Sequence, residues 1–395
     1  MAQLARVPST RLVDDATARG KLGPLRELGG TWEGRGFNLI ARPDFHDKTN
    51  LYLQLNQTHE TLTVTPIGSS IPNRGFGQDD IELFGLSYLQ KINDHSTGGA
   101  LHLEPGLWIT QPPTTYPPEH PPPNGCIIAR MASIPHGNAV LAQGSATPFT
   151  GPPTLPPPAG TKLQAGAQIY NGSKFRSFNS TPFSTPCSTS PPVINADGSS
   201  ERRTPPQIRA RPFKEYDLLN NPSATCRRTP VDTSPKEPDL PTQIDDVPMQ
   251  HVINDPIRLL QAEIRKQVRE GHTFEGWALN IATRPAVTFR LLADEPTGLT
   301  VNIPVTGAGG GIENILFLEG AEQGPNAETR LVYATFWIEK VTSSTGHHFM
   351  QLQYAQMAVL IFPVFTLLHP PGGSAGELVK LGWPHISVAT LRKAF

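Results

Sequence analysis

Apolar and polar residues alternate along much of this chain with the two-residue period of strands that bury one face. Leu51 to Val64 (LYLQLNQTHETLTV) and Ile81 to Ile92 (IELFGLSYLQKI) alternate over many positions, and Thr31 to Ala41 opens in the same way. Leu101 to Thr110 follows a turn signal, Ser96-Thr97-Gly98-Gly99. Cys126 to Ile134 and Ala139 to Ala146 read as two shorter strands. Phe274 to Thr283, Gly298 to Val305, Arg330 to Val341, Phe349 to Phe362 and His385 to Lys393 bring the set to about ten or eleven.

One segment changes period. Ile257, Leu260, Ile264 and Val268 recur at helical spacing. Asn254-Asp255-Pro256 before them offers a cap with Pro in the first turn, and Gly271 ends the run. A single helix among many antiparallel strands predicts an all-β closed barrel with the helix as plug or lid, because closure removes the edges such strands would expose.

Composition interrupts this picture in the middle. The chain holds 42 Pro and 35 Gly in 395 residues, and the prolines concentrate in PPTTYPPEHPPP at 112–123 and in the Pro-, Ser- and Thr-rich stretch at 148–249. Proline removes a backbone donor and fixes φ, which keeps such sequence out of a sheet interior. The expected organisation is an N-terminal extension at 1–25, a first half-barrel at 26–146, a long irregular insertion at 147–253, and a helix with the second half-barrel at 254–395.

Charge and cysteine content remove several function classes. With 33 basic and 34 acidic residues the net charge is -1, which gives no field to hold a polyanion and argues against nucleic-acid binding. No apolar run reaches the roughly 18 to 20 residues of a membrane span, and MAQLARVPST lacks a signal-peptide core. A soluble, cytoplasmic protein without membrane partners is the expectation. Cys126, Cys187 and Cys226 are odd in number and widely spaced, which reads as free thiols rather than a disulfide framework or zinc site.

Two strands carry candidate chemistry. In the first, Trp32, Gly34 and Gly36 share a face; glycines beside a Trp leave a flat slot for a ligand, or mark a sharply bent strand. In the last, His385, Ser387 and Ala389 share one face and Ile386 and Val388 the other. A lone imidazole among small residues suits an axial haem-iron ligand; the alternative is a His bonded to neighbouring backbone. His136, in the turn Ile134-Pro135-His136-Gly137, is either solvated or within reach of a distal pocket. His102 and Glu104 share a face and read as a structural pair in the wall. His347-His348 read as an exposed turn, and His59-Glu60 has no metal-ligand spacing. Gly307 to Gly311 (GAGGG) follows a strand without the lysine and helix of a phosphate loop, and neither a nucleophile elbow nor a zinc signature is present.

Taken in order, these motifs resemble a family. Gly30-Thr31-Trp32-Glu33-Gly34-Arg35-Gly36 is similar to the Gly-x-Trp-x-Gly-x-Gly opening of the nitrobindin haem-binding β-barrels. Leu86-Ser87-Tyr88, then His102-x-Glu104-x-Gly106-x-Trp108, then Phe349-Met350-Gln351-Leu352-Gln353 resemble successive strands of that family, and His385 stands where its axial ligand stands. The resemblance covers roughly 26–146 and 270–395. It implies an antiparallel calycin/lipocalin-like barrel of about ten strands that holds haem b (iron protoporphyrin IX) through His385. Trp32, Gly34, Gly36, Ser387, Ala389 and His136 would contact the cofactor. It also implies nitric oxide binding and isomerisation of peroxynitrite to nitrate, with the sixth iron position left to a small ligand, and is compatible with a homodimer. The competing classes are a haem-free lipocalin-like cyclase or isomerase and a carrier, each acting on a hydrophobic small molecule.

Overall fold

The computed structural model describes residues 20–44, 49–74, 80–112, 125–134, 138–155, 241–254, 256–283, 328–365 and 378–394, with short strand segments at 114–115, 118–119, 170–171, 174–175, 286–289, 299–302 and 311–314. His136 and most of the 147–253 insertion lie outside the described residues.

Ten strands form the barrel: β1 Gly30–Asp44, β2 Thr49–Pro66, β3 Ile81–Asp94, β4 Ala100–Gln111, β5 Cys126–Ile134, β6 Asn138–Thr150, β7 Thr273–Ala282, β8 Glu328–Thr342, β9 His348–Phe365 and β10 Leu378–Lys393. Each pairs antiparallel with its neighbours in chain order. Two pairings close the ring, β10 with β1 (Gly36↔Ala389) and β6 with β7 (Ala146↔Leu279). The all-β barrel expected from the alternation is therefore present, interrupted by the insertion between β6 and β7. The expected strand at Gly298 to Val305 does not join it: Leu299–Asn302 pairs with Ala286–Phe289 in a separate two-stranded sheet.

Register partners share a face, so the pairings give the inner wall directly. Trp32, Gly34, Gly36 and Asn38 on β1 face inward with Leu62, Glu60, Thr58 and Asn56 on β2 and with Lys393, Leu391, Ala389 and Ser387 on β10. The core fills from one end. A 3-10 helix, Gly23–Leu28, puts Leu25 and Leu28, with Leu22 just before it, against Trp32, Leu62, Val64, Phe84 and Leu86. The Trp32 indole donates to the Leu28 carbonyl at 2.7 Å, satisfying the one polar atom of a fully buried ring. Lys393 Nζ donates to the Glu27 carbonyl at 3.1 Å, so the end of β10 sits at this plugged end too.

The helical period at 257–268 is confirmed, but its place differs from the expected plug or lid. After a short helix α1, Met249–Asn254, helix α2, Ile257–Arg269, lies on the outside of the barrel against β9 and β10. Gln267 Nε2 donates to Gln351 Oε1 at 2.8 Å, and Arg392 pairs with Glu263 at 2.9 Å. Because the wall beneath is polar, Gln261 and Gln267 turn inward with Ile257, Leu260 and Ile264, while Val268 stays 45% exposed. The outward-facing Phe37, Leu39, Ala355, Met357, Ile386 and Val388 are buried as well. Over these residues the strands are therefore apolar on the outer face as well. Among the described residues, no helix is long and apolar enough to cross a membrane.

Candidate functional site

The barrel interior carries polar groups in two linked clusters above the plug. The first surrounds Glu60, which is 1% exposed. Its carboxylate accepts from Thr58 Oγ1 (2.9 Å), Tyr354 OH (2.6 Å) and Gln90 Nε2 (3.3 Å). Burial pushes the Glu60 carboxyl up, outweighing the hydrogen bonds that favour its charged form. The Tyr354 hydroxyl is raised as well, first by burial and then by the adjacent Glu60.

Gly36 exists for this cluster. A Cβ there would lie 2.3 Å from the Val388 carbonyl oxygen and 2.8 Å from both Glu60 Oε1 and Thr58 Oγ1. At Gly34 it would lie 2.1 Å from the Thr390 carbonyl oxygen. What approaches the two glycines is thus protein, the β10 backbone and the Glu60 side chain, and the slot expected beside Trp32 is filled. The structure gives Trp32, Gly34 and Gly36 a packing role. Gly36→Ala is expected to destabilise the fold by about 1–3 kcal/mol, the usual cost of overpacking, measured as a shift in the urea midpoint at unchanged slope.

The second cluster centres on Arg130, which is 4% exposed. Its Nε donates to Tyr88 OH at 2.9 Å, Nη1 to Gln356 Oε1 at 2.7 Å, and Nη2 to Glu104. Its guanidinium also lies over the rings of Phe336, Trp108 and Tyr88, at 5.2, 5.7 and 5.5 Å from their centroids. Glu104 further accepts from Tyr88 OH, and its other oxygen meets His102 Nε2 at 3.2 Å. Burial alone would raise the Glu104 carboxyl; Arg130 beside it, with His102 and Tyr88, holds it down at about 2. The pair expected at His102 and Glu104 is therefore one edge of a larger network.

The strand directions place His102 and His385 toward the same end of the barrel, opposite the plug, since β4 and β10 both begin there. His385 is half-buried on the inner face of β10, across from Ile40 on β1 and Ala358 on β9. Its Nε2 lies 3.4 Å from Ser387 Oγ, which bonds Asn38 Oδ1 at 3.3 Å. Ser387 and Ala389 do share its face. Ala389 lies deeper, in the apolar core with Tyr354 and Leu391, and Ser387 lies between. The structure thus brings His385 and Ser387 together and separates them from Trp32, which sits at the other end.

Among the described residues no cluster of three or more His, Cys, Asp or Glu could hold a bare metal ion. A planar cofactor needs a different donor set, one imidazole on a wall of small side chains. His385 with Ala358 and Ser387 beside it fits that requirement. Cys126 is half-buried with its thiol pushed up to about 11 by burial, which makes it a poor nucleophile.

Arg130, Glu60, Gln90, Tyr354 and Gln356 did not stand out in the sequence. One signal was available for Arg130: it occupies an inward position between Ile128 and Ala132, and a charge there must be paired. No protein-family model matches this chain, and neither does any curated protein. Among solved structures it is similar to the crystal structure of Rv2717c from M. tuberculosis, with 11% identity and a TM-score of 0.32, over 97% of this chain and 100% of that one. A likeness of that size carries no functional weight.

Proposed function

We propose that this barrel binds haem b through His385 as its single axial ligand and handles small ligands of iron, with chemistry of the nitrobindin type. The observation that carries the reading is the setting of His385: a half-buried imidazole on the inner wall, at the end opposite the plug, with Ser387, Ala358 and Ile40 as inward neighbours. The motif order supports it too. Leu86 and Tyr88 face inward as register partners of Trp108 and Gly106, and Glu104 and His102 follow on the same face opposite Gln90 and Ile92. When bound, ferric haem supplies a Lewis-acidic iron with one position for nitric oxide or peroxynitrite. The chain's own part is to present one imidazole, to exclude water with the apolar walls, and to keep the buried Arg130–Glu104 pair neutral overall. An isomerase acting on peroxynitrite is the enzymatic form of this proposal.

The test is an absorption spectrum of the full chain supplied with haem. A Soret band is expected in the wild type. His385→Ala is expected to lose it, with circular dichroism unchanged, because Ala is tolerated beside Ala358 and Ser387. Wild-type haem affinity in His385→Ala would overturn the ligand assignment. A featureless visible spectrum in the wild type would overturn the haem reading and leave the haem-free carrier or cyclase.

A further inference from the structure

The two ring nitrogens of His385 are not equivalent toward iron. Nε2 is remote from Cβ, so a planar macrocycle can reach it, whereas the side chain's own Cβ and the strand crowd Nδ1. Nε2 is also the nitrogen that meets Ser387 Oγ, at 3.4 Å. Iron and the serine hydroxyl therefore compete for one atom. The hydroxyl is itself held in place. Ser387 is buried two residues deeper on the same face of β10, and it donates to Oδ1 of Asn38, its buried register partner on β1, at 3.3 Å. A hydroxyl has one hydrogen and two lone pairs. With the hydrogen given to Asn38, Ser387 offers the imidazole a lone pair only, and the ring meets it with its hydrogen on Nε2. A nitrogen in that form has no lone pair for a metal. To ligate, His385 must leave Ser387 and carry its hydrogen on Nδ1 instead.

We propose that Ser387, steered by Asn38, is a positioning residue that latches His385 Nε2 to the wall and so sets how tightly the imidazole takes iron. For the iron, this rests on the haem reading of His385. The sign is opposite to that of a residue that merely lines a cofactor pocket: removing the hydroxyl tightens the binding of an iron porphyrin. Metal-free protoporphyrin IX has the same ring and edge groups but forms no bond to an imidazole. It gains only what a more apolar wall gives, and haem gains that as well, so the ratio of the two affinities isolates the latch.

The experiment titrates the full chain with ferric haem and, separately, with metal-free protoporphyrin IX, following absorption and fluorescence quenching, with circular dichroism confirming that each variant is folded. In Ser387→Ala the ratio of haem affinity to protoporphyrin affinity is expected to rise about two- to tenfold, the net worth of one hydrogen bond. Ser387→Thr keeps the hydroxyl on a residue that strands accept, and its ratio is expected to stay near that of the wild type. An unchanged or lower ratio in Ser387→Ala overturns the proposal. So does an equal rise in Ser387→Thr, which would trace the effect to the wall rather than to the hydroxyl. If the wild type forms no Soret band, the haem reading fails by itself. The latch is then judged in the protein alone by the His385 imidazole N–H signal in 15N NMR, identified by its absence in His385→Ala. Slow exchange of that hydrogen with solvent in the wild type and fast exchange in Ser387→Ala support the latch, and equal rates in the two overturn it.

Discussion

Arg130→Met is expected to destabilise the barrel by about 3–5 kcal/mol, the cost of leaving one partner of a buried ion pair uncompensated. Methionine replaces much of the aliphatic stem, but Glu104, 1% exposed, would keep only His102 beside its charge. Tyr88 and Gln356 would each lose a donor as well. Arg130→Met combined with Glu104→Gln is expected to recover a large part of the loss, since the pair's desolvation then disappears from both sides. The measurement is chemical denaturation of both variants at neutral pH. A single variant within about 1 kcal/mol of wild type, the range of an ordinary surface pair, would show that the interior is wetter than the burial implies. The same network sets the acid limit. Glu104 is held near 2 in the fold, below its ordinary 4.5. A depressed carboxyl contributes stability that is full above the ordinary value and is lost as pH falls through the folded one. Glu104→Gln, weaker at pH 7, should therefore show a shallower decline between about pH 4.5 and 2.

Much of this fold was legible because burial on a single face leaves a period. Leu51 to Val64 and Ile81 to Ile92 bury one face, and both were readable as strands, as was the helix at 257–269 from its apolar spacing. The helix's position was not. Its buried face includes Gln261 and Gln267, and the match to a polar wall of Gln351 and Gln353 is set by tertiary contact, which no local pattern encodes. The plug was missed for a related reason. Gly23–Leu28 is one short 3-10 segment, too brief to show a period, and its two leucines, with Leu22 before them, gain meaning only against Trp32 and Phe84. The Gly-rich first strand was legible as a place of close approach, but the sequence does not say by what. Glu60 lies 24 positions after Gly36, yet it fills that space because β2 returns beside β1 in the register Gly34↔Glu60. His385 could be placed on one face with Ser387 and Ala389 from alternation alone, whereas the link from Arg130 to Gln356 spans 226 positions of sequence.

Glu339→Gln is expected to stabilise the protein at alkaline pH and to leave it unchanged near pH 5. Glu339 faces outward on β8, beneath helix α2, and is 0% exposed. Gln351 donates to its Oε2, while Oε1 has no hydrogen-bond partner among the described residues. The charged groups that bear on it are Arg392 on β10 and Glu263 on α2, already engaged with each other at 2.9 Å. Burial dominates, Gln351 and Arg392 offset it only in part, and the carboxyl is pushed up to about 8. The sign is opposite to that of Glu104. Between the ordinary value of 4.5 and about 8 the folded protein holds a proton that the unfolded chain has released. Stability must then fall as pH rises through that window, by at most about 1.4 kcal/mol per pH unit, and level off above it. Glutamine carries no charge at any pH and offers Gln351 the same acceptor. Melting temperatures of wild type and Glu339→Gln should coincide near pH 5 and separate progressively toward pH 8.5, by the equivalent of a few kcal/mol. Because the cheapest way to hydrate an ionised Glu339 is to lift α2, amide exchange in 257–269 should accelerate in the wild type over the same window beyond its intrinsic pH dependence. In Glu339→Gln it should not. Parallel melting curves for the two proteins from pH 5 to 8.5 would mean that Glu339 ionises normally and that the space beneath α2 admits water.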